Sequence, residues 1–298
     1  MTESTSIPVV VAGSINVDLS IRVPRVPQSG ETLLATSNVT RRPGGKGANQ
    51  AIAASRFGAQ VHFIGCVGDD QDGRHSVESL RHAGIDTTGV HTVSVPTGVA
   101  FVMVLPAGDN FIVVSPGANH SLSPELLVQS LDAYERAIVL MQGETPAESV
   151  SALASHATER PNLRVVLNLA PWRELGPKTL ATCDPIIVNQ VEASQMTGEA
   201  VDTVDDGVRV AKTIGQLARS CVITMGEKGA CFFDGDQGGH IAAPAVGKVI
   251  DTTGAGDGFV GALAASLSRS EPLNKAVADG VVAGASAITF EGAQLPGD

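Results

Sequence analysis

The chain has 298 residues, 43% hydrophobic, 17% charged and 3% aromatic, with a formal net charge of −11. Such a chain can bury about 75% of its unfolded surface, which excludes a largely disordered protein and leads us to expect one large domain, with room for a small appendage. Only 20 Lys and Arg stand against 31 Asp and Glu, which disfavours nucleic-acid binding, and no stretch approaches the ~20 apolar residues of a membrane helix.

The N-terminus carries neither a basic stretch nor an apolar one, so no signal peptide is expected. Cys66, Cys183, Cys221 and Cys231 are scattered without a C-x-x-C, which points to free thiols in a reducing cytoplasm. Continuous apolar runs at 8–11, 61–64, 137–141, 164–167, 185–188, 221–224 and 230–233 read as strands buried on both faces. Helical patterns lie between them at 47–57, 77–82, 124–134, 146–157, 203–218 and 258–267. The alternation predicts an α/β fold, a mainly parallel sheet flanked by helices.

Two segments break the rhythm. Leu19, Ile21 and Val23 alternate with polar residues, and 99–105 and 111–115 flank a Pro-Ala-Gly-Asp-Asn turn. They read either as ordinary surface hairpins or as a small antiparallel β lid. In the lid reading, 18–40 and 95–117 form the lid, and 1–17, 41–94 and 118–298 form the core.

Chemistry concentrates in a few segments. Gly13 to Asp18 ends the first strand, where ligands bind in parallel sheets. Asn16 and Asp18 there suit vicinal hydroxyls, although Asp18 also reads as a solvated strand end. In Gly44-Gly45-Lys46-Gly47-Ala48-Asn49-Gln50, glycines permit close approach and Lys46 and Asn49 offer donors; taken alone, a plain glycine turn before a helix, with Lys46 solvated, is the favoured reading. Asn189 and Glu192 follow a strand, where a carboxylate can reach Mg²⁺ through water. Thr224-Met225-Gly226-Glu227-Lys228-Gly229 suits nucleotide binding by backbone or a simple β-turn.

The sharpest segment is Asp251-Thr252-Thr253-Gly254-Ala255-Gly256-Asp257-Gly258-Phe259, ahead of an apolar helix. Glycine disfavours helix by about 1 kcal/mol, so this cluster needs a reason. Amides without Cβ atoms can cradle an anion at the positive end of a helix, with Asp257 as a base beside it; a flexible capping loop is the other reading. Phe259 breaks the dinucleotide fingerprint, and the 44–47 run lacks the Ser or Thr of a Walker A loop.

In order and residue type, these segments and Glu144 resemble the ribokinase (pfkB-type) family of carbohydrate kinases over nearly the whole chain. The resemblance implies a β lid over a sugar, often paired between subunits into a homodimer. It also implies ATP-dependent phosphorylation of a primary hydroxyl, O5 in ribose. By resemblance Asn16, Asp18, Gly45, Lys46, Gly47, Ala48, Asn49 and Glu144 contact the sugar. Asn189 and 224–229 hold the nucleotide, and Glu192 helps place Mg²⁺. Asp257 is the base, and the Gly254, Ala255 and Gly256 amides form the anion hole.

A K⁺ ion would take the Asp251 carboxylate and the carbonyls of Thr253, Ala287, Phe290 and Gly292. Pro296 replaces a Ser of that site, Val281 a His near adenine, and Gln190 an acidic residue; the chain ends at Asp298, where relatives often add a helix. Within the family, the scarcity of lid aromatics disfavours a nucleoside. Arg22, Arg25, Arg41 and Arg42 leave a phosphosugar open, and deoxyribose differs by one hydroxyl. A sugar sensor would need neither base nor anion hole. A lid edge bearing Leu19, Ile21 and Val23 would favour pairing with a second copy.

Overall fold

A computed structural model describes residues 6–106, 110–247, 249–290 and 292. In chain order the strands are β1 (Val9–Ala12), β2 (Asn16–Arg22), β3 (Thr40–Gly44), β4 (Val61–Gly68), β5 (Asp86–Val93), β6 (Gly98–Val104), β7 (Asn110–Ser115), β8 (Ala137–Gln142), β9 (Leu163–Asn168), β10 (Cys183–Asn189), β11 (Cys221–Thr224), β12 (Ala230–Phe233) and β13 (Gly238–Ile241). The helices are α1 (Lys46–Arg56), α2 (Gln71–His82), α3 (Pro124–Leu131), α4 (Ala147–Glu159), α5 (Pro177–Leu180), α6 (Gln190–Thr197), α7 (Val204–Gly215), α8 (Ala255–Ser268) and α9 (Leu273–Ala287).

Nine strands form one sheet, ordered β13-β12-β11-β10-β9-β8-β1-β4-β5. Every pairing is parallel except β11 with β12 and β12 with β13. The apolar runs divide by period two between the faces. Val10, Ala12, Val139 and Met141 pack with Leu127, Leu153 and Ile214 on one face. Val9, Val11, Ile138 and Leu140 pack with Ile52, Phe259 and Val277 on the other. Among the described residues, no helix is long and apolar enough to cross a membrane. All four cysteines are buried and free.

A second sheet, β3-β2-β6-β7, forms the lid. Its hairpins are antiparallel, but β2 pairs with β6 in parallel, which corrects the all-antiparallel expectation. The reason is topological: β2 follows β1 and β6 follows β5, so both leave the carboxyl edge of the large sheet in one direction. The expected edge is also corrected. β2 lies inside the lid, Val23 is buried, and the free edges are β3 and β7. The anticipated turn at 107–109 lies outside the described residues, as do Pro296 and Asp298.

Candidate active site

The carboxyl ends of β9, β10 and β11 and the starts of α1, α6 and α8 meet at one cleft. Lys46, Asn168, Asn189, Glu192, Thr224, Gly254, Gly256 and Asp257 line it. Seven of these eight, all but Asn168, come from four of the expected segments, and the fold brings them together at the carboxyl side of the large sheet.

The 13–16 loop and the start of α1 are interlocked. Gly45 caps α1 with φ 94°, and a Cβ there would meet the Asn16 nitrogen at 2.7 Å. The Ala48 N–H donates to the Ser14 carbonyl at 3.0 Å and the Gly47 N–H to Ser14 Oγ at 3.2 Å. Glu144, just past β8, clamps both loops: its Oε2 accepts from Ser14 Oγ at 2.5 Å and from the Lys46 N–H at 3.1 Å. Asn16 is buried, and its Oδ1 accepts from Asn119 Nδ2 at 2.7 Å.

Asp257, in the first turn of α8, accepts on both oxygens. Asn49 Nδ2 donates to Oδ2 and Gln50 Nε2 to Oδ1, each at 3.0 Å. Beside it, α8 begins with no side-chain cap, after Gly254 at φ 81°. A Cβ at Gly256 would meet nothing within 4 Å. With no side-chain cap, and the Ala255 N–H making only a 3.4 Å bond to the Thr252 carbonyl, this positive helix end has the elements of an anion cradle.

Four carboxylates, Asp18, Glu144, Glu192 and Asp257, act on one ammonium, Lys46. Burial pushes the Asp18 carboxyl up to about 6, aided by Glu144 and Asp257 and opposed by Lys46. Burial alone would lower Lys46; Asp257, Glu144, Glu192 and Asp18 reverse that and hold it above the ordinary lysine value. Burial also raises Glu192, against the Asn189 N–H and Lys46. Glu192 and Asn189 form a reciprocal capping box on α6, with both bonds at 2.8 Å.

The 224–229 segment is split. Thr224 lines the cleft, whereas the Met225 side chain is buried with its sulfur 3.4 Å from Cys231 Sγ. Gly226–Lys228 form a 3-10 turn, with Lys228 Nζ donating to the Asp202 carbonyl at 2.5 Å. Gly229 ends the turn, and Glu227 is exposed. At the far end, the Asp251 carboxylate accepts from the Thr253 and Gly292 N–H groups, each at 2.9 Å. Burial would raise it, but these bonds and Arg22 hold it below the ordinary range. At the end of α9 the Ala287 carbonyl accepts from the Phe290 N–H at 3.4 Å.

Sequence reasoning assigned no role to Ser14, Gln50, Asn119, Gln142 or Asn168. Ser14 and Gln50 lay inside the singled-out segments, and the others carry no local signal.

The signature of pfkB family carbohydrate kinases matches residues 7–298. The chain is 38% identical over 288 residues to a ribokinase of Haemophilus influenzae, covering 95% of this chain and 93% of that one. It is 35% identical over 293 residues to a deoxyribokinase of Salmonella typhi, covering 96% and 94%. The structure of Arabidopsis thaliana ribokinase complexed with ribose and ATP aligns with a TM-score of 0.84 at 27% identity, covering 97% of this chain and 94% of that one. The chain belongs to the pfkB family of carbohydrate kinases.

Proposed function

We propose that the protein transfers the γ-phosphoryl group of ATP to the primary 5-hydroxyl of D-ribose, giving ribose 5-phosphate and ADP. The observation that carries this reading is the Asp257 carboxylate beside the uncapped start of α8, in one cleft with Lys46. Asn16, Asp18, Lys46, Asn49 and Glu144, with the tightly packed backbone of Gly45, Gly47 and Ala48, form the polar cradle for the sugar. Asp257 takes the hydroxyl proton as the new P–O bond forms. The amides of Gly254, Ala255 and Gly256 stabilise the charge on the phosphoryl oxygens, which suits a loose transition state. Asn189, Thr224 and the turn from Met225 to Gly229 hold the nucleotide.

The Glu192 carboxylate offers a hard oxygen suited to Mg²⁺, directly or through water, and the ion would supply charge neutralisation at the phosphates. Asp251 and the carbonyls of Thr253, Ala287, Phe290 and Gly292 are an all-oxygen set suited to K⁺. The four buried free thiols fit a cytoplasmic protein, and the exposed β7 edge fits a homodimer through the lid.

Deoxyribose is the second reading, favoured by the 35% identity to a deoxyribokinase. A phosphosugar is less favoured, since two of the four arginines that kept it open are engaged, Arg25 with Glu31 and Arg41 with Asp72.

The test is sugar-dependent ADP release from Mg-ATP in K⁺ buffer, with ribose and deoxyribose in parallel. Release with ribose and a lower rate in Tris or choline salts are expected; no release from folded protein with ribose would sink the reading. Asp257→Asn should lose about 10²–10⁴-fold in turnover while still binding ribose. Near-normal turnover would remove Asp257 from the role.

A further inference from the structure

We propose that Gln50 is a positioning residue for phosphoryl transfer, locking the Asp257 carboxylate in the orientation from which it takes the sugar proton. The proposal rests on the reading of Asp257 as the base. Gln50 is fully buried on α1 and does not line the cleft, so it acts through Asp257 rather than on the sugar. Its Nε2 donates to Asp257 Oδ1 at 3.0 Å and to Asn168 Oδ1 at 2.9 Å. Its Oε1 accepts from Gln142 Nε2 at 2.9 Å. Asn168 Nδ2 in turn donates to the Ile187 carbonyl at 3.2 Å.

These partners leave the amide one orientation. A flip would set the Gln50 oxygen against two acceptor oxygens and its NH₂ against the Gln142 donor. The carboxylate on α8 is thereby tied to the ends of β8 and β9 through a single side chain. Asn49 alone would leave the carboxylate free to pivot about Oδ2; the second donor, on Oδ1, removes that freedom.

Core packing does not account for the arrangement. Gln142 is fully buried, and its Oε1 has no hydrogen-bond partner among the described residues. A buried amide left half-satisfied is a cost that an apolar side chain of the same shape avoids. Orientation of the carboxylate is what the amides add, and displacement of a reacting group by about 1 Å costs about 10²-fold.

The experiment is steady-state kinetics of Gln50→Met, close in shape but without donors, alongside Asp257→Asn, with ribose and Mg-ATP. For Gln50→Met, kcat should fall about 10- to 100-fold with the ribose KM within about threefold of the parent. A folded Gln50→Met with parental kcat, or a kcat loss matched by a rising ribose KM, overturns the proposal. Should Gln50→Met not fold, Gln142→Met carries the test, since it keeps the Gln50–Asp257 bond and frees the far end. A kcat loss of about three- to tenfold at unchanged KM is then expected, and parental kcat overturns. Asp257→Asn separates the two readings. Parental turnover there removes the base itself, whereas an inactive Asp257→Asn beside a fully active Gln50→Met removes only Gln50.

Discussion

Asp18 shows what the sugar cradle costs the fold. Its carboxyl is raised from 3.8 to about 6 by burial, Glu144 and Asp257. Between those values the folded chain keeps a proton that the unfolded chain has released, so stability falls as pH rises through that window. Asp18→Asn removes the cost. Without sugar, the variant should melt above the parent at pH 8, with the gap narrowing towards pH 4; a gap independent of pH would show that ionisation of Asp18 is not the cause. The same variant should bind ribose more weakly, because a site tuned for ligand is strained without one. Asn119 works in the opposite sense. It donates to Asn16 Oδ1 and bonds both backbone groups of Ile15, so it stabilises the loop and orients a cradle residue at once.

At the scale of elements, the seam between α1 and α8 sets the alignment of Asp257, the proposed base. A Cβ at Gly261 would lie 2.5 Å from Ala53 Cβ and 2.6 Å from the Gln50 carbonyl. Gly261→Ala therefore forces the helices apart, at about 1–3 kcal/mol. Because the Asn49 and Gln50 bonds to Asp257 cross that seam, turnover should fall with melting temperature even though residue 261 lies outside the cleft; lower stability with full turnover would show that the seam does not align the base. The seam also shows what was legible in the sequence. Strands β1 and β8 announced themselves as the apolar runs at 8–11 and 137–141 because both faces are covered. The glycine-flanked Asp257 stood out because glycine at a helix start needs an explanation. Helix α9 did not stand out, since Asp279, Gly280 and Gly284 interrupt its apolar stripe. Strand β5 hides for another reason: it is an edge strand whose polar residues blur the alternation. Gln50 and Gln142 meet across 92 residues of chain, and a buried amide network leaves no periodic trace.

At the scale of the molecule, the lid presents an unprotected border. Strand β7 ends its sheet and is exposed throughout, with Phe111, Ile112, Val113 and Val114 all turned to solvent in part. An apolar edge with open backbone groups pairs readily. If the proposed homodimer forms through this edge, the parent should show a dimer mass by light scattering and Val113→Lys a monomer mass; a dimer mass for the variant would place the contact elsewhere, and a monomer mass for the parent would remove the dimer. The long reach of the Asn49–Asp257 bond, 208 residues apart in sequence, bears on the birth of the protein. Long-range contacts form only after the loop between them is closed. A nascent chain therefore carries its glycine loop at 44–47 out of the ribosome long before Asp257, the proposed base, has been made. On the proposed reading, competence waits for α8 to dock against α1.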